Sequence, residues 1–381
     1  MKMKNLEHEL ESKNDRLLSL DIFRGITIAG MILVNNPGSW GNIYPPLAHA
    51  QWHGCTPTDL IFPFFLFIVG VAITLSLQKR KERGDDQKKL LIQIFRRSAT
   101  LFILGLILAG FPYFDFSTIR IPGVLQRIAV VYLISSIIFL KTSVRTQAIL
   151  GVVLLLVYWI LMTLIPVPGV GYANLEPTTN LAAYFDNLLL GGHLWKATKV
   201  WDPEGILSTM PAISSAISGI LLGHWLQTKV DPATKAVWIF VFGNLLVLIG
   251  MFWEPLFPIN KSLWTSSYVV YTSGLALIFF AMCYWLVDIK KIDWWTKPFV
   301  VYGLNAITVF FLSGIFARSL TLIKWADEVG NEITLRSYLY ETFFTPYFSP
   351  INASLAWAIS FILFWLGLMW ILYYKKIFIK V

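Results

Sequence analysis

The chain has 381 residues, of which 56% are hydrophobic and only 14% charged, and its mean hydropathy is +0.64. A water-soluble domain carries about 25% charged residues, so composition excludes an ordinary soluble fold and makes lipid the fitting solvent. The net charge is +9, but the basic residues stand in short stretches between apolar runs, where they set topology and meet anionic headgroups, and no nucleic acid partner is expected.

Residues 1–16 are polar and charged, without the apolar stretch of a signal peptide. They read as a cytoplasmic N-terminal tail, and the first apolar run reads as an uncleaved insertion signal. Crossing a bilayer as a helix takes about 20 mainly apolar residues. The runs that meet this need are 17–36, 58–78, 96–113, 122–140, 147–166, 205–227, 235–253, 263–287, 298–318 and 351–374. The expected fold is therefore all-α, a polytopic membrane bundle of about ten transmembrane helices. Residues 17–374 form one domain, and 375–381 form a cytoplasmic C-terminal tail. With the N-terminus inside, 22 of the 31 Lys and Arg residues fall in inside segments and six in outside loops, while Arg24, Arg127 and Arg318 lie within spans or at their ends. This alternation holds loop after loop and puts both termini in the cytoplasm. The two cysteines, Cys55 and Cys283, then fall near opposite faces, so no disulfide is expected, and neither has metal-type spacing. Three outside segments are long: 37–57, 167–204 and 319–350. Long irregular segments in compact proteins tend to carry function.

Ionisable residues inside spans are costly and usually paired or functional. Asp21 and Arg24 share one helix face, either as an internal ion pair or with Arg24 turned to a phosphate near the cytoplasmic mouth. Asn35 closes the first span. The loop that follows runs from His49 through Trp52, His53 and Cys55 to Asp59, which starts the second span at the outer membrane edge. Thr56 or Thr58 can cap that helix, with Pro57 in its first turn. A carboxylate there is favoured by the helix dipole alone; a histidine beside a carboxylate is also a general-base arrangement. His49 and His53 are four apart but have no evident third ligand, so no metal is expected. Arg120, Gln126 and Arg127, then Asp202 and Glu204, then Asn260 and Lys261, all fall at the outer edge. Each alone is an interfacial anchor; together they can line a pocket for a small hydrophilic substrate. The inner side offers Asn305 and the basic stretch 79–97, which is a topology signal that can also attract an anionic nucleotide.

Leu20-Asp21-Ile-Phe-Arg24-Gly25, Val34-Asn35, His49-Ala-Gln-Trp52-x-Gly54, Asp59-Leu-Ile-Phe-Pro63, Arg120-Ile-Pro-Gly-Val-Leu-Gln126-Arg127, Asp202-Pro-Glu-Gly205, Asn260-Lys261-Ser-Leu-Trp264 and Gly303-Leu-Asn305 occur in that order. In this combination, over residues 17 to about 315, the chain resembles the heparan-α-glucosaminide N-acetyltransferase family. The resemblance implies an enzyme that takes acetyl from cytosolic acetyl-CoA and passes it to a glucosamine amine on the far side of the membrane, with no metal. His49 matches the family's active-site histidine, and Asn35 matches an Asn of that region. The lysosomal members carry a luminal domain and an extra leading helix. This chain starts almost at its first span and looks like the shorter bacterial members, some of them described as related to amino-sugar transport. The implied setting is a bacterial inner (plasma) membrane, and the implied acceptor is glucosamine or a glucosamine-ended oligosaccharide. A homodimer is left open.

The residues suit that chemistry. Nitrogen attacks a thioester only as the neutral amine, and histidine, which titrates near neutrality, can take its proton. Asn35 or Arg127 can donate to the developing oxyanion. His49 acts either as base in a direct transfer, the simpler route for an activated thioester, or as a transient acetyl carrier. Arg24, Arg127 and Asn305 are the expected donor-binding residues. Trp52, Arg120, Gln126, Asp202, Glu204, Asn260 and Lys261 are expected to face the sugar. The donor nucleotide would stay near Arg24 and the basic stretch, its extended arm bridging a hydrocarbon core about 30 Å thick. The alternative is an amino-sugar carrier, which needs broken helices or alternating access about a central site, or a membrane scaffold or sensor.

Overall fold

A computed structural model describes residues 17–326 and 330–379. The expected tail at 1–16 and the last two residues lie outside the described set. Thirteen α-helices carry the fold among the described residues: α1 (Leu18–Asn35), α2 (Ile61–Glu82), α3 (Gln87–Gly110), α4 (Val124–Lys141), α5 (Val144–Leu164), α6 (Leu181–Leu190), α7 (Thr209–Leu226), α8 (Pro232–Trp253), α9 (Ser266–Cys283), α10 (Lys297–Leu304), α11 (Ala306–Leu322), α12 (Leu335–Phe343) and α13 (Pro350–Tyr374). Strands β1 (Lys324–Ala326) and β2 (Glu332–Thr334) pair antiparallel, with Lys324 opposite Thr334.

Among the described residues, eight helical segments are long and apolar enough to cross a membrane, and the pair α10–α11, bent by 81°, makes a ninth. The expected run 205–227 becomes α7, which carries Ser214, Ser215, Ser218 and His224 and is not among those eight. Its serines meet neighbours: Ser214 Oγ donates to the Gly151 carbonyl at 3.0 Å, and Ser218 Oγ lies 3.0 Å from Ser273 Oγ. A helix sheathed by other helices needs less apolar surface than one facing lipid. The protein is an all-α, multi-pass membrane protein.

Burial sorts the spans into two rings. α1, α2, α4 and α9 bury 56–61% of their most apolar stretch, whereas α3, α5, α8 and α13 bury only 22–28%. The outer helices leave residues such as Ile149, Val152, Phe242 and Phe252 exposed, which is stable only in an apolar solvent. The inner crossings are close. A Cβ on Gly70 would stand 1.9 Å from the Ala216 carbonyl oxygen, and one on Gly219 would stand 2.0 Å from that of Phe67, so α2 and α7 touch backbone to backbone, the usual membrane use of small residues.

Two expectations change. The basic stretch 79–97 is not a loop: α2 continues to Glu82, and α3 begins at Gln87, capped by Asp86, whose Oδ1 accepts from Lys88 N at 2.9 Å. Lys, Arg and Gln are good helix formers, and their long stems let the charge clear the apolar layer. The expected span 298–318 breaks at Asn305, where φ is −121°.

Candidate functional site

The loop between α1 and α2 ends in a single turn, Pro57–Leu60, that feeds α2. Thr56 and Asp59 form a reciprocal cap. Asp59 Oδ2 accepts from Ala50 N, Thr56 N and the Thr56 hydroxyl, each at 3.0 Å. This fixes the carboxylate, and its other oxygen, Oδ1, faces His49 Nδ1 at 2.7 Å. The Asp59 side chain is 1% exposed and that of His49 is 46% exposed. The half-exposed ring therefore has its Nδ1 edge held by a buried carboxylate. With the Nδ1 proton directed to Asp59, Nε2 carries the lone pair. Tyr268 on α9 donates to the Asp59 backbone carbonyl at 2.5 Å.

A second loop, between α8 and α9, closes on the first. Gly54 (φ +106°) donates its N–H to the Ile259 carbonyl at 2.7 Å. The fully buried Asn260 accepts from Leu263 N at 2.8 Å through Oδ1, and its Nδ2 lies 3.3 Å from His53 Nδ1. This turn presents Lys261, whose Nζ stands 3.0 Å from His49 Nδ1, 3.3 Å from Nε2 and 3.5 Å from Asp59 Oδ1. Burial lowers the affinity of Lys261 for its proton, against the opposing pull of Asp59 and Glu204. Carboxylate, imidazole and ammonium thus meet at one point.

Glu204 belongs to an adjoining ion network. Arg120 grips Asp202 with two bonds, Nε at 2.8 Å and Nη2 at 2.5 Å, and Nη2 also reaches Glu204 at 2.5 Å. The two carboxylates raise the Arg120 pKa in spite of burial. Beneath them Asp186 on α6 accepts from Asp202 N at 3.2 Å and Ile206 N at 2.9 Å. Burial pushes its carboxyl up to about 6. The buried Arg127 donates to the Gly205 carbonyl at 3.1 Å and to the Ser208 hydroxyl, with its guanidinium over the Trp264 ring at 5.1 Å. Its Nε and Nη1 have no hydrogen-bond partner. Trp52 donates to the Leu175 carbonyl at 3.0 Å and meets Trp201 edge-on at 5.2 Å.

Two cavities flank α4. One of about 430 Å³ lies at the His49 end, lined by Arg120, Gln126, Trp195, Lys196 and Arg318. The other, about 660 Å³, lies at the opposite end, with Arg24, Arg97, Tyr132 and Gly303 in its wall. Between them is a void of about 10 Å³. It shares Phe65, Ile128, Ala306 and Ile307 with the larger cavity, and Val124, Leu125 and Phe310 with the smaller. A line of spaces separated by apolar side chains therefore follows α4 from one end of the bundle to the other.

The expected residues divide accordingly. His49, Asp59, Lys261 and Asn260 come together, and Arg120, Asp202 and Glu204 adjoin them. Arg127 lies at this end, whereas Arg24 and Asn305 lie at the other. Arg24 pairs with Asp21 at 3.3 Å and reaches the Gly303 carbonyl at 3.4 Å. Asn305 holds the C-terminal segment, accepting from Ile379 N at 2.9 Å and donating to the Ile377 carbonyl at 3.2 Å. Asn35 is exposed at the end of α1 and shares no hydrogen bond with His49 among the described residues. Sequence reasoning passed over Asp186 and Tyr268, and held Arg97 only as part of the basic stretch 79–97. Asp186 was detectable as the one charge in the apolar stretch 181–190, whereas nothing in the sequence links Tyr268 to Asp59.

Residues 16–251 match the family described as heparan-alpha-glucosaminide N-acetyltransferase, catalytic. A heparan-alpha-glucosaminide N-acetyltransferase of Homo sapiens is 32% identical over 420 aligned residues, covering 96% of this chain and 60% of the relative. The Mus musculus protein of the same name is 30% identical over 424, covering 97% of this chain and 61% of the relative. The chain thus spans about three fifths of the length of these relatives, and the family match includes the His49 loop, Arg120 to Arg127 and Asp202 to Gly205. The chain belongs to the heparan-alpha-glucosaminide N-acetyltransferase catalytic family.

Proposed function

We propose that the protein transfers acetyl from acetyl-CoA to the amine of glucosamine, or of a glucosamine-ended sugar, at the His49 end of a bacterial inner membrane, with both chain termini in the cytoplasm. The observation that carries this reading is the 2.7 Å contact between His49 Nδ1 and buried Asp59, which frees Nε2 to act as base. The amine nitrogen attacks the thioester carbon while Nε2 takes its proton. As the C–N bond forms, the C–S bond breaks, and the imidazolium returns the proton to the departing thiolate. Asp59 orients the ring and stabilises the imidazolium. Lys261 and Arg127 are cationic donors for the oxyanion and the sugar, and Asn35 is a further candidate at the same rim. Trp52, Asn260, Gln126 and the Arg120–Asp202–Glu204 network shape the acceptor side.

The donor fits the other end. Arg24 and Arg97 offer charge to its phosphates across the 660 Å³ cavity, with Asn305 bracing the wall. The slender pantetheine arm suits the line of cavities along α4.

One feature favours a carrier: the 81° break at Asn305 resembles the broken helices of transporters. The Asn305 side chain, however, is engaged by backbone groups of Ile377 and Ile379, so it is not free to hold a cargo. Purified protein in detergent tests the choice. A transferase consumes acetyl-CoA when glucosamine is added, and His49→Ala abolishes turnover while acetyl-CoA still binds. Uptake into vesicles with no acetylated product would establish the carrier instead.

A further inference from the structure

The base of the transfer site already has an amine beside it. Lys261 Nζ stands 3.3 Å from His49 Nε2 and 3.0 Å from Nδ1. A reacting amine has to come within hydrogen-bond reach of its base, about 2.6–3.2 Å, so Nζ stands at the edge of the space that the sugar amine must enter. The placement is built into the loops. Gly54 N–H holds the Ile259 carbonyl at 2.7 Å, and the buried Asn260 closes its turn by accepting from Leu263 N at 2.8 Å. The loop that carries Lys261 is thereby fixed against the loop that carries His49, and the Lys261 side chain keeps 21% of its surface exposed.

Lys261 is also suited to act as a nucleophile. Burial loosens its hold on a proton, which raises the share of neutral amine, the form that attacks a carbonyl carbon. Its flexible four-carbon stem lets Nζ move over a short range. Asp59 Oδ1 at 3.5 Å opposes the loss of charge, so most of the group stays ammonium and its reaction is slow. Cys55, another nucleophile in the His49 loop, does not compete: burial pushes its thiol up to about 12, and the thiolate is the form that attacks.

From this geometry we infer that Lys261 is an internal acceptor: with acetyl-CoA in place and no sugar bound, Nζ takes the acetyl group, and the amide that forms shuts the site. The inference rests on the acetyl-transfer reading for its donor. The ammonium first gives one proton to water. The lone pair of the neutral amine then forms the N–C bond to the thioester carbon as the C–S bond breaks, and the second proton passes to His49 Nε2 and on to the departing thiolate. The products are an acetamide on Lys261 and free CoA. The modification removes the cation beside Asp59 and His49, which the transfer reaction uses, and leaves a bulkier neutral group next to the base. A bound sugar puts its own amine at Nε2 and so shields Lys261. The enzyme would thus stay active while acceptor is present and switch itself off when donor accumulates without it.

Peptide mass spectrometry tests this directly. Full-length protein in detergent is incubated with excess isotope-labelled acetyl-CoA, with and without glucosamine, and then digested. Without sugar, label should collect on Lys261 faster than on the exposed Lys229 at the other end of the bundle. It should survive neutral hydroxylamine, which strips acetyl from histidine and leaves an amide. Glucosamine should protect Lys261, and His49→Ala should abolish the labelling of Lys261 without changing that of Lys229. Activity toward glucosamine, measured after incubation with donor alone, should fall in step with the labelled fraction, and whatever activity Lys261→Arg retains should not decay. Glucosamine acetylated with no label on Lys261 overturns the internal acceptor and leaves the transferase reading standing. Labelling of Lys261 that matches Lys229, or that persists in His49→Ala, is background chemistry and also overturns it. Label on Lys261 with glucosamine never acetylated upholds the internal acceptor and removes the sugar; acetyl on neither removes both.

Discussion

Asp59→Asn separates orientation of the base from packing around it. Asp59 Oδ2 receives two backbone N–H groups, from Ala50 and Thr56, both at 3.0 Å. A carboxamide in this position turns its carbonyl oxygen to those donors, because its own NH2 group cannot face them. The NH2 then points at His49 Nδ1, 2.7 Å away in the wild type, and requires an acceptor there. The ring proton moves to Nε2, and the atom that should take the amine's proton loses its lone pair. The substitution also removes the negative charge 3.5 Å from the Lys261 ammonium. In hydrolases with a His–Asp pair, the wrong tautomer costs about 10⁴ in kcat. A fall of about 10³–10⁴ is expected here, or about 4–5.5 kcal/mol of transition-state stabilisation. The assay is transfer of labelled acetyl from acetyl-CoA to glucosamine, with the thermal midpoint in detergent as the control for folding. Asp59→Asn should keep its fold, because both backbone donors keep an acceptor. Asp59→Ala orphans them at about 1–3 kcal/mol each and should melt early. A kcat for Asp59→Asn within tenfold of wild type, with His49→Ala inactive, would show that the carboxylate does not set the tautomer, and the mechanism built on it would fall.

Lys261 gives up its proton more readily than an ordinary lysine because it is buried, so rising pH removes its charge early. Lys261→Arg keeps the charge and should move the alkaline limb of kcat/KM upward; an unmoved limb would mean that the charge is not used. Arg24→Gln and Arg97→Gln, in the wall of the 660 Å³ cavity, should each raise KM for acetyl-CoA about tenfold and leave KM for glucosamine unchanged, as read by initial rates with each substrate varied in turn. Asp186, whose carboxyl lies at about 6 instead of 3.8, binds its proton more tightly in the folded than in the unfolded chain. Folding therefore carries no penalty from this group below about pH 4, loses stability as pH rises toward 6, and is flat above, by about 3 kcal/mol in all. Asp186→Asn should abolish that slope in thermal midpoints measured from pH 4 to 7.

Much of the fold could be read from hydropathy, because lipid demands long apolar helices and each of the ten expected runs has a helical counterpart. What escaped was set by tertiary contact. α7 was expected as the span 205–227, but its place was not: α2 packs on it through Gly70 and Gly219, and a hydropathy profile cannot distinguish a helix wrapped by protein from one facing lipid. The break at Asn305 has no proline or glycine at the break itself; it is stabilised by two hydrogen bonds to residues more than seventy positions later. The helical ends within 79–97, α2 running to Glu82 and α3 starting at Gln87, were obscured because lysine and arginine serve equally as loop residues and as helix ends.

The site was legible to different depths at its two ends for the same reason. His49, Thr56 and Asp59 lie within eleven residues, and their geometry follows from a local cap: once Thr56 and Asp59 close the turn, one carboxylate oxygen is used and the other faces the preceding loop. Lys261 arrives from 212 residues away, carried by Asn260, whose buried amide builds the turn, and that amide can be read only once the Gly54–Asn260 bridge is known. Arg127 illustrates the limit. As a charge near the start of a span it pointed to the donor, yet it packs over Trp264 beside Gly205 and Ser208, with two guanidinium nitrogens unpaired. A buried cation with unpaired nitrogens is costly, and the Trp264 ring and the Gly205 and Ser208 oxygens offset part of that cost. Sequence marked the residue as costly, and only its neighbours indicate what offsets the cost.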